Sequence, residues 1–282
     1  VSTEFSVSSP ASLCSRPIGV FDSGIGGLTV AAAMRAVLPA EQILYIGDTA
    51  RVPYGGKSAA TIERYSLEIS EMLLSEGAKM IVVACNTASA LALPRLQEIL
   101  EVPVIGVIQP GSEAAVSATR NRRVGVIATR ATVASQAYER EIRALDPGVQ
   151  VSAQACPLLV PLIEEGWLED PVTLQVIGRY LEGLVGAGID TLVLGCTHYP
   201  LLRKMLSEYV GREIVLVDSA HNCALKVRSV LGARGIAAPP DASGSLRVSL
   251  TDPSSAFLRV AETALGLKVG DVQLRAVQMA VS

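Results

Sequence analysis

Short apolar runs rich in Val and Ile alternate along this chain with longer stretches of helical periodicity. The runs are Ile18–Phe21 (IGVF), Ile43–Gly47 (ILYIG), Met80–Ala84 (MIVVA), Val104–Ile108 (VIGVI), Arg123–Ala128 (RVGVIA), Thr191–Gly195 (TLVLG) and Ile214–Asp218 (IVLVD). Unbroken apolar runs of this length read as strands buried on both faces, the condition of a parallel sheet covered by helices. Between them, Ser58–Glu76 carries Ile62, Leu67, Ile69, Met72 and Leu73 at helical spacing, with acidic and polar residues on the other side, and Pro171–Gly186 reads as a second long helix. The alternation predicts an α/β fold built on parallel sheets.

An internal echo doubles the pattern. IGVFDSG at Ile18 resembles VGVIATR at Val124, and each opens a unit whose later strand ends in a cysteine with polar company. These endings are Cys85-Asn86-Thr87 and Cys196-Thr197-His198, and a helix and a further strand follow each. The echo predicts two similar α/β halves, each presenting a cysteine at the carboxyl end of a strand, where open α/β sheets place their ligands. If the halves face each other, both thiols point into one cleft.

Length and composition narrow this picture. A chain of 282 residues suits two domains of ordinary size, and 50% apolar with 18% charged residues is a globular composition. The net charge of -3 without a basic block argues against a nucleic-acid groove or an anionic-membrane patch. No apolar run reaches the roughly 18 residues of a membrane span. The Ser-rich start VSTEFSVSSPASLCSRP lacks the basic and apolar parts of a signal peptide and reads as a floppy leader, residues 1–17. The five cysteines are odd in number, widely spaced and free of CxxC, which fits reduced thiols in a cytoplasm better than a disulfide framework or zinc site.

Each motif has a plain structural alternative. In FDSGIGGLTV the glycines permit a tight turn and the helix start offers N–H groups to an anion, yet Asp22 equally suits capping that helix. GDTARVPYGGKS ends like a phosphate loop, but Arg51 stands where its first glycine belongs; Tyr54 and Gly55 remain candidates for ligand contact through a hydroxyl and a backbone N–H. Cys85 alone would read as packing, but Asn86 and Thr87 beside it suit holding a carboxylate or stabilising a thiolate. His198, one of two histidines, is placed as an acid-base partner of Cys196, and Glu164, in an apolar Pro-bounded segment, wants a partner such as His198. Cys156 reads as core, and Cys14 and Cys223 have no chemical context.

Together GVFDSGIGGLTV, GDTARVPYGGKS, ACNTASA, GVIATRATVAS, ACPLLVPLIEEGW and GCTHYPLL resemble the glutamate racemase family of the aspartate/glutamate racemase superfamily, over about Ile18 to Ala220 and more weakly in the tail LTDPSSAFLRVAETALG. The resemblance implies two parallel-sheet α/β domains in pseudo-twofold relation with the active site in the cleft between them. Residues 18–109 plus 219–282 would form the first and 110–218 the second. It implies a cofactor-independent isomerase without metal that interconverts L- and D-glutamate for peptidoglycan synthesis. Cys85 and Cys196 would be the acid-base thiols, serving the D- and L-enantiomer respectively, with Asp22 and His198 tuning them and Glu164 supporting His198. Asp22, Ser23, Tyr54, Gly55, Asn86, Thr87, Thr129, Thr132, Thr197 and His198 fall on substrate-contact positions. Gln109 departs from the pattern, standing where relatives often carry an acid. The family dimerises in more than one arrangement, which leaves a homodimer open.

The chemistry suits two thiols. Racemisation removes the α-proton from one face and returns a proton to the other, so groups on opposite walls are natural. A thiol of reference pKa near 8.5 is only about 3% ionised at pH 7, a gap of roughly 2 kcal/mol that an imidazole or helix start can close. The weakly acidic α-carbon requires donors around the α-carboxylate and exclusion of water. Rival readings are a sister racemase of aspartate or hydantoin type, a two-lobed binding protein without chemistry, and a Cys-His hydrolase using Cys196.

Overall fold

The computed structural model describes residues 13–252 and 273–275. The apolar runs become the strands of two separate parallel sheets. In the first, β1 (Ile18–Asp22) lies between β2 (Gln42–Gly47) and β3 (Met80–Val83), with β4 (Val104–Gly106) outside β3. In the second, β5 (Arg123–Ala128) lies between β6 (Gln150–Ala155) and β7 (Thr191–Gly195), with β8 (Val215–Val217) outside β7. The order β2-β1-β3-β4 thus recurs as β6-β5-β7-β8, the structural form of the sequence echo. Beyond β2 the first sheet is extended by β9 (Ser245–Leu250) and β10 (Gln273–Leu274).

Burial on both faces explains why these strands carry no polar alternation. On one face of the first sheet, Ile18, Val20, Tyr45, Met80 and Val82 pack with Leu28 and Met34 of α1 (Leu28–Val37). On the other, Phe21, Leu44, Ile46, Ile81 and Val83 pack with Ile62, Ile69 and Leu73 of α2 (Ala59–Ser75). The helix expected over Ser58–Glu76 is therefore present, with Ser58 as its N-cap accepting from Thr61 N. The chain continues through α3 (Asn86–Leu91) and α4 (Leu93–Ile99), and α5 (Ile108–Ala118) then carries it across, packing on β7 and on α7 (Ala137–Leu145), which follows α6 (Arg130–Ser135).

The second sheet is sandwiched alike. Val124, Val126 and Val193 face Tyr138 and Ile142 of α7, while Ile127, Leu192 and Leu194 face Ile177 and Leu181 of α9 (Pro171–Gly186), which follows α8 (Leu159–Glu164). After α10 (Arg203–Val210) and β8, α11 (Ala220–Arg234) returns to pack on α1 of the first half. No helix among the described residues is long and apolar enough to cross a membrane.

Differences from expectation have local causes. β4 stops at Gly106 rather than Ile108 because Val107 N turns to donate to Ser89 Oγ at 3.2 Å and Ile108 opens α5. β6 and β9 escape the apolar pattern: QVSAQA has no fully buried residue, and the first half of SLRVSL is largely exposed around Arg247. Most of the expected leader, and most of the tail LTDPSSAFLRVAETALG, lie outside the described residues.

Candidate active site

Parallel pairing brings the carboxyl ends of β3 and β7, equivalent strands of the two halves, to loops that meet. Cys85 follows β3 as the N-cap residue of α3, and Cys196 follows β7 directly. Both thiols line one narrow cavity of about 20 Å³, room for a single water. Ser23, Tyr54, Gly55, Asn86, Thr87, Thr129, Thr197 and His198 line it with them, joined by Val52, Pro53 and Val160, which no chemical pattern marks in the sequence. Gly55 is set by the approach of the two walls, since a Cβ there would stand 2.6 Å from Thr129 Cβ.

The surroundings of the two thiols differ. Cys196 Sγ is 3.8 Å from His198 Nδ1, and His198 Nε2 is 3.3 Å from Glu164 Oε1. That second contact is an ion pair by distance but is not aligned as a hydrogen bond. Burial alone would push the imidazole pKa down, but Cys196, Glu164 and the Asp22 charge outweigh it and raise it to about 10. His198 is therefore a cation at neutral pH, standing beside Cys196 Sγ. Cys85 Sγ sits 3.7 Å from Ser23 Oγ. Burial pushes its pKa up to about 12, Asp22 adding to the rise while Ala88 N–H and the Ser23 hydroxyl oppose it. At rest Cys85 holds its proton while Cys196 faces an imidazolium, a division suited to acid on one wall and base on the other.

These shifts carry a stability consequence. The native imidazole keeps its proton up to about 10 against 6.5 ordinarily, so its contribution is complete below about pH 6.5 and lost as pH rises through about 10. The thiols of Cys85, Cys156 and Cys223, each pushed up to about 12 chiefly by burial, act with the same sign, because the unfolded chain ionises them first. The melting temperature is expected to fall above about pH 6.5 and more steeply above about pH 9. An unchanged melting temperature across that alkaline range would contradict the assignment.

Several expected contacts are placed differently. Asp22 is fully buried and does not line the cavity. Its Oδ2 accepts from Gly24 N and Gly27 N, both at 3.0 Å, and its Oδ1 accepts from Thr197 Oγ1 at 3.2 Å. Asp22 thus braces the glycine turn ahead of α1, rather than capping the helix itself, and ties β1 to the loop after β7, a link between the halves. The Tyr54 hydroxyl donates to Asp48 Oδ2, which Arg51 Nε also engages at 2.7 Å, so Tyr54 offers the cavity its ring and backbone rather than its hydroxyl. Thr132 and Glu164 stand behind the wall. Thr87 Oγ1 lies 3.0 Å from Thr129 Oγ1 and 3.3 Å from Thr132 Oγ1, a hydroxyl cluster spanning the halves. Cys156 is packing: fully buried, its thiol donates to Gln154 O at 3.6 Å.

Residues 28–224 match the sequence model of the Asp/Glu/Hydantoin racemase family. The chain belongs to this family. Within it the racemase is similar to the glutamate racemase of Geobacter metallireducens, 49% identical over 91% of this chain and 95% of that protein. The crystal structure of glutamate racemase isoform RacE1 from Bacillus anthracis superimposes with a TM-score of 0.88 at 38% identity, covering 95% of this chain and 99% of that one. The glutamate racemase of Francisella tularensis in complex with D-glutamate does so with a TM-score of 0.87 at 35% identity, covering 94% and 99%. The racemase is an isomerase, and its relatives at this level of identity are glutamate racemases.

Proposed function

We propose that this racemase interconverts L- and D-glutamate with Cys85 and Cys196 as opposed acid-base thiols, supplying D-glutamate for peptidoglycan in the cytoplasm. The observation that carries the reading is two thiols, from equivalent strands of two like halves, lining one cavity. One thiolate takes the α-proton, forming an S–H bond as the Cα–H pair passes to the carbon. The opposite thiol then delivers its proton to the other face of that carbon, and the two thiols end with their charges exchanged. The Thr87–Thr129 hydroxyls are the donors for the carboxylate that accumulates charge, the Asn86 amide binds a substrate carboxylate, and the Thr197 hydroxyl, its hydrogen given to Asp22, holds the wall between them. Asp22, Glu164 and Thr132 act from behind them.

Residues 18–109 plus 219–282 and residues 110–218 are taken as the two domains, a division consistent with β9 joining the first sheet. The cavity is smaller than an amino acid, so substrate enters as the walls part and water is excluded when they close. Cys196, beside His198, is assigned to L-glutamate and Cys85 to D-glutamate.

The test is solvent-deuterium incorporation at the α-carbon across glutamate, aspartate and a hydantoin. Exchange with inversion on glutamate from both enantiomers is expected. Exchange confined to aspartate or hydantoin would move the chain to a sister activity, and no exchange at all would leave a binding protein.

A further inference from the structure

Tyr138, on α7 of the second half, is 1% exposed and donates its hydroxyl hydrogen to Asn86 Oδ1 of the first half at 2.6 Å. Its ring is held in a slot between two glycines. A Cβ on Gly195, the residue before Cys196, would stand 3.0 Å from the ring, and one on Gly111 of α5 would stand 3.4 Å from the phenol oxygen. Tyr138 therefore touches the backbone leading into one thiol and the side chain following the other.

The Asn86 amide has two chemically opposite ends, and which end faces the cavity decides whether the position attracts or repels a carboxylate. A phenol that has given its hydrogen to Oδ1 leaves only one orientation. Asn86 lines the cavity, is 2% exposed, and its Nδ2 is buried without a hydrogen-bond partner among the described residues. Burial raises the phenol pKa, which keeps Tyr138 a donor throughout the working range, while the Ser219 side chain acts in the opposite direction as a donor to the phenol oxygen. An unpaired, buried amide N–H2 is costly unless a substrate acceptor completes it.

We propose that Tyr138 is a positioning residue of the racemase, locking the Asn86 amide so that Nδ2 is presented to a carboxylate oxygen of the substrate. This rests on the glutamate racemase reading above. Without the phenol hydrogen the amide is free to rotate and present Oδ1, an acceptor, to an anion. The contact is made to a group charged in both ground and transition states, so its loss acts mainly on binding.

The test is a double-mutant cycle on the full chain with Tyr138→Phe and Asn86→Ala, following KM and kcat in both directions with the melting temperature. Tyr138→Phe keeps the ring in its slot and is expected to raise KM on the order of tenfold while changing kcat less than threefold. In the Asn86→Ala background the same change is expected to do nothing further, because the group it orients is gone. The double variant removes both members of the Tyr138–Asn86 hydrogen bond and leaves the Ser219 hydroxyl in the same state as Tyr138→Phe alone, so the cycle stays readable if that single change destabilises the protein. Additive losses, or a fall in kcat at unchanged KM, would overturn the positioning role while leaving the racemase reading intact. Absence of glutamate exchange in the wild type would instead overturn the reading on which it rests.

Discussion

Replacing either Cys85 or Cys196 by alanine is expected to abolish inversion of glutamate, lowering kcat/KM on the order of 10⁴-fold or more. The magnitude follows from the proposed arrangement, in which each thiol serves one face of the α-carbon; of the other residues lining the cavity, only His198 ordinarily exchanges a proton near neutral pH. The single-thiol variants are more informative than their inactivity alone. In heavy water the remaining thiol still abstracts the proton from the enantiomer it faces, exchanges that S–H hydrogen with solvent, and returns deuterium to the same face. Cys85→Ala is expected to label L-glutamate with retention, and Cys196→Ala to label D-glutamate. Labelling reversed between the two would exchange the enantiomer assignment, and near-normal racemisation by either variant would end the two-thiol mechanism.

The second largest effect is expected from His198→Asn, at about 10²-fold in kcat/KM. Asparagine keeps a donor near Sγ of Cys196 but removes the positive charge that Cys196, Glu164 and Asp22 together hold on the imidazole. Enantiomers have equal free energies in water, so the equilibrium constant is unity and kcat/KM must fall by the same factor in both directions. The asymmetry between the thiols can therefore appear only in kcat and KM separately, with kcat falling most where Cys196 is the base. Wild-type activity is expected to decline as pH rises through about 10, where the imidazolium is lost, and this alkaline limb should be absent in His198→Asn. A limb that persists in the variant would place the titration elsewhere.

Legibility in the sequence followed burial. Strands covered on both faces, such as Ile18–Asp22 and Met80–Val83, are wholly buried and stand out as unbroken apolar runs. β6, at the margin of its sheet, carries Gln150, Ser152 and Gln154 and has no such signature. The thiol pair was legible because the chain writes the same strand-cysteine ending twice. The roles of its neighbours were less so: Asp22 is a site residue in the motif reading, but its oxygens are occupied by Gly24, Gly27 and Thr197. The Tyr54 hydroxyl, expected at the ligand, is turned to Asp48.

By itself the sequence determined two parallel α/β halves, the ends of the strands that carry chemistry, and the two cysteines there, because hydrophobic period and repetition are local properties of a chain. Only the tertiary structure decided which polar atoms face the cavity. The links that set this, Thr197 to Asp22, Thr87 to Thr129 and Tyr138 to Asn86, join the two halves across long separations in sequence. A hydroxyl or amide points wherever its nearest buried partner lies, and that partner is chosen by how the halves pack.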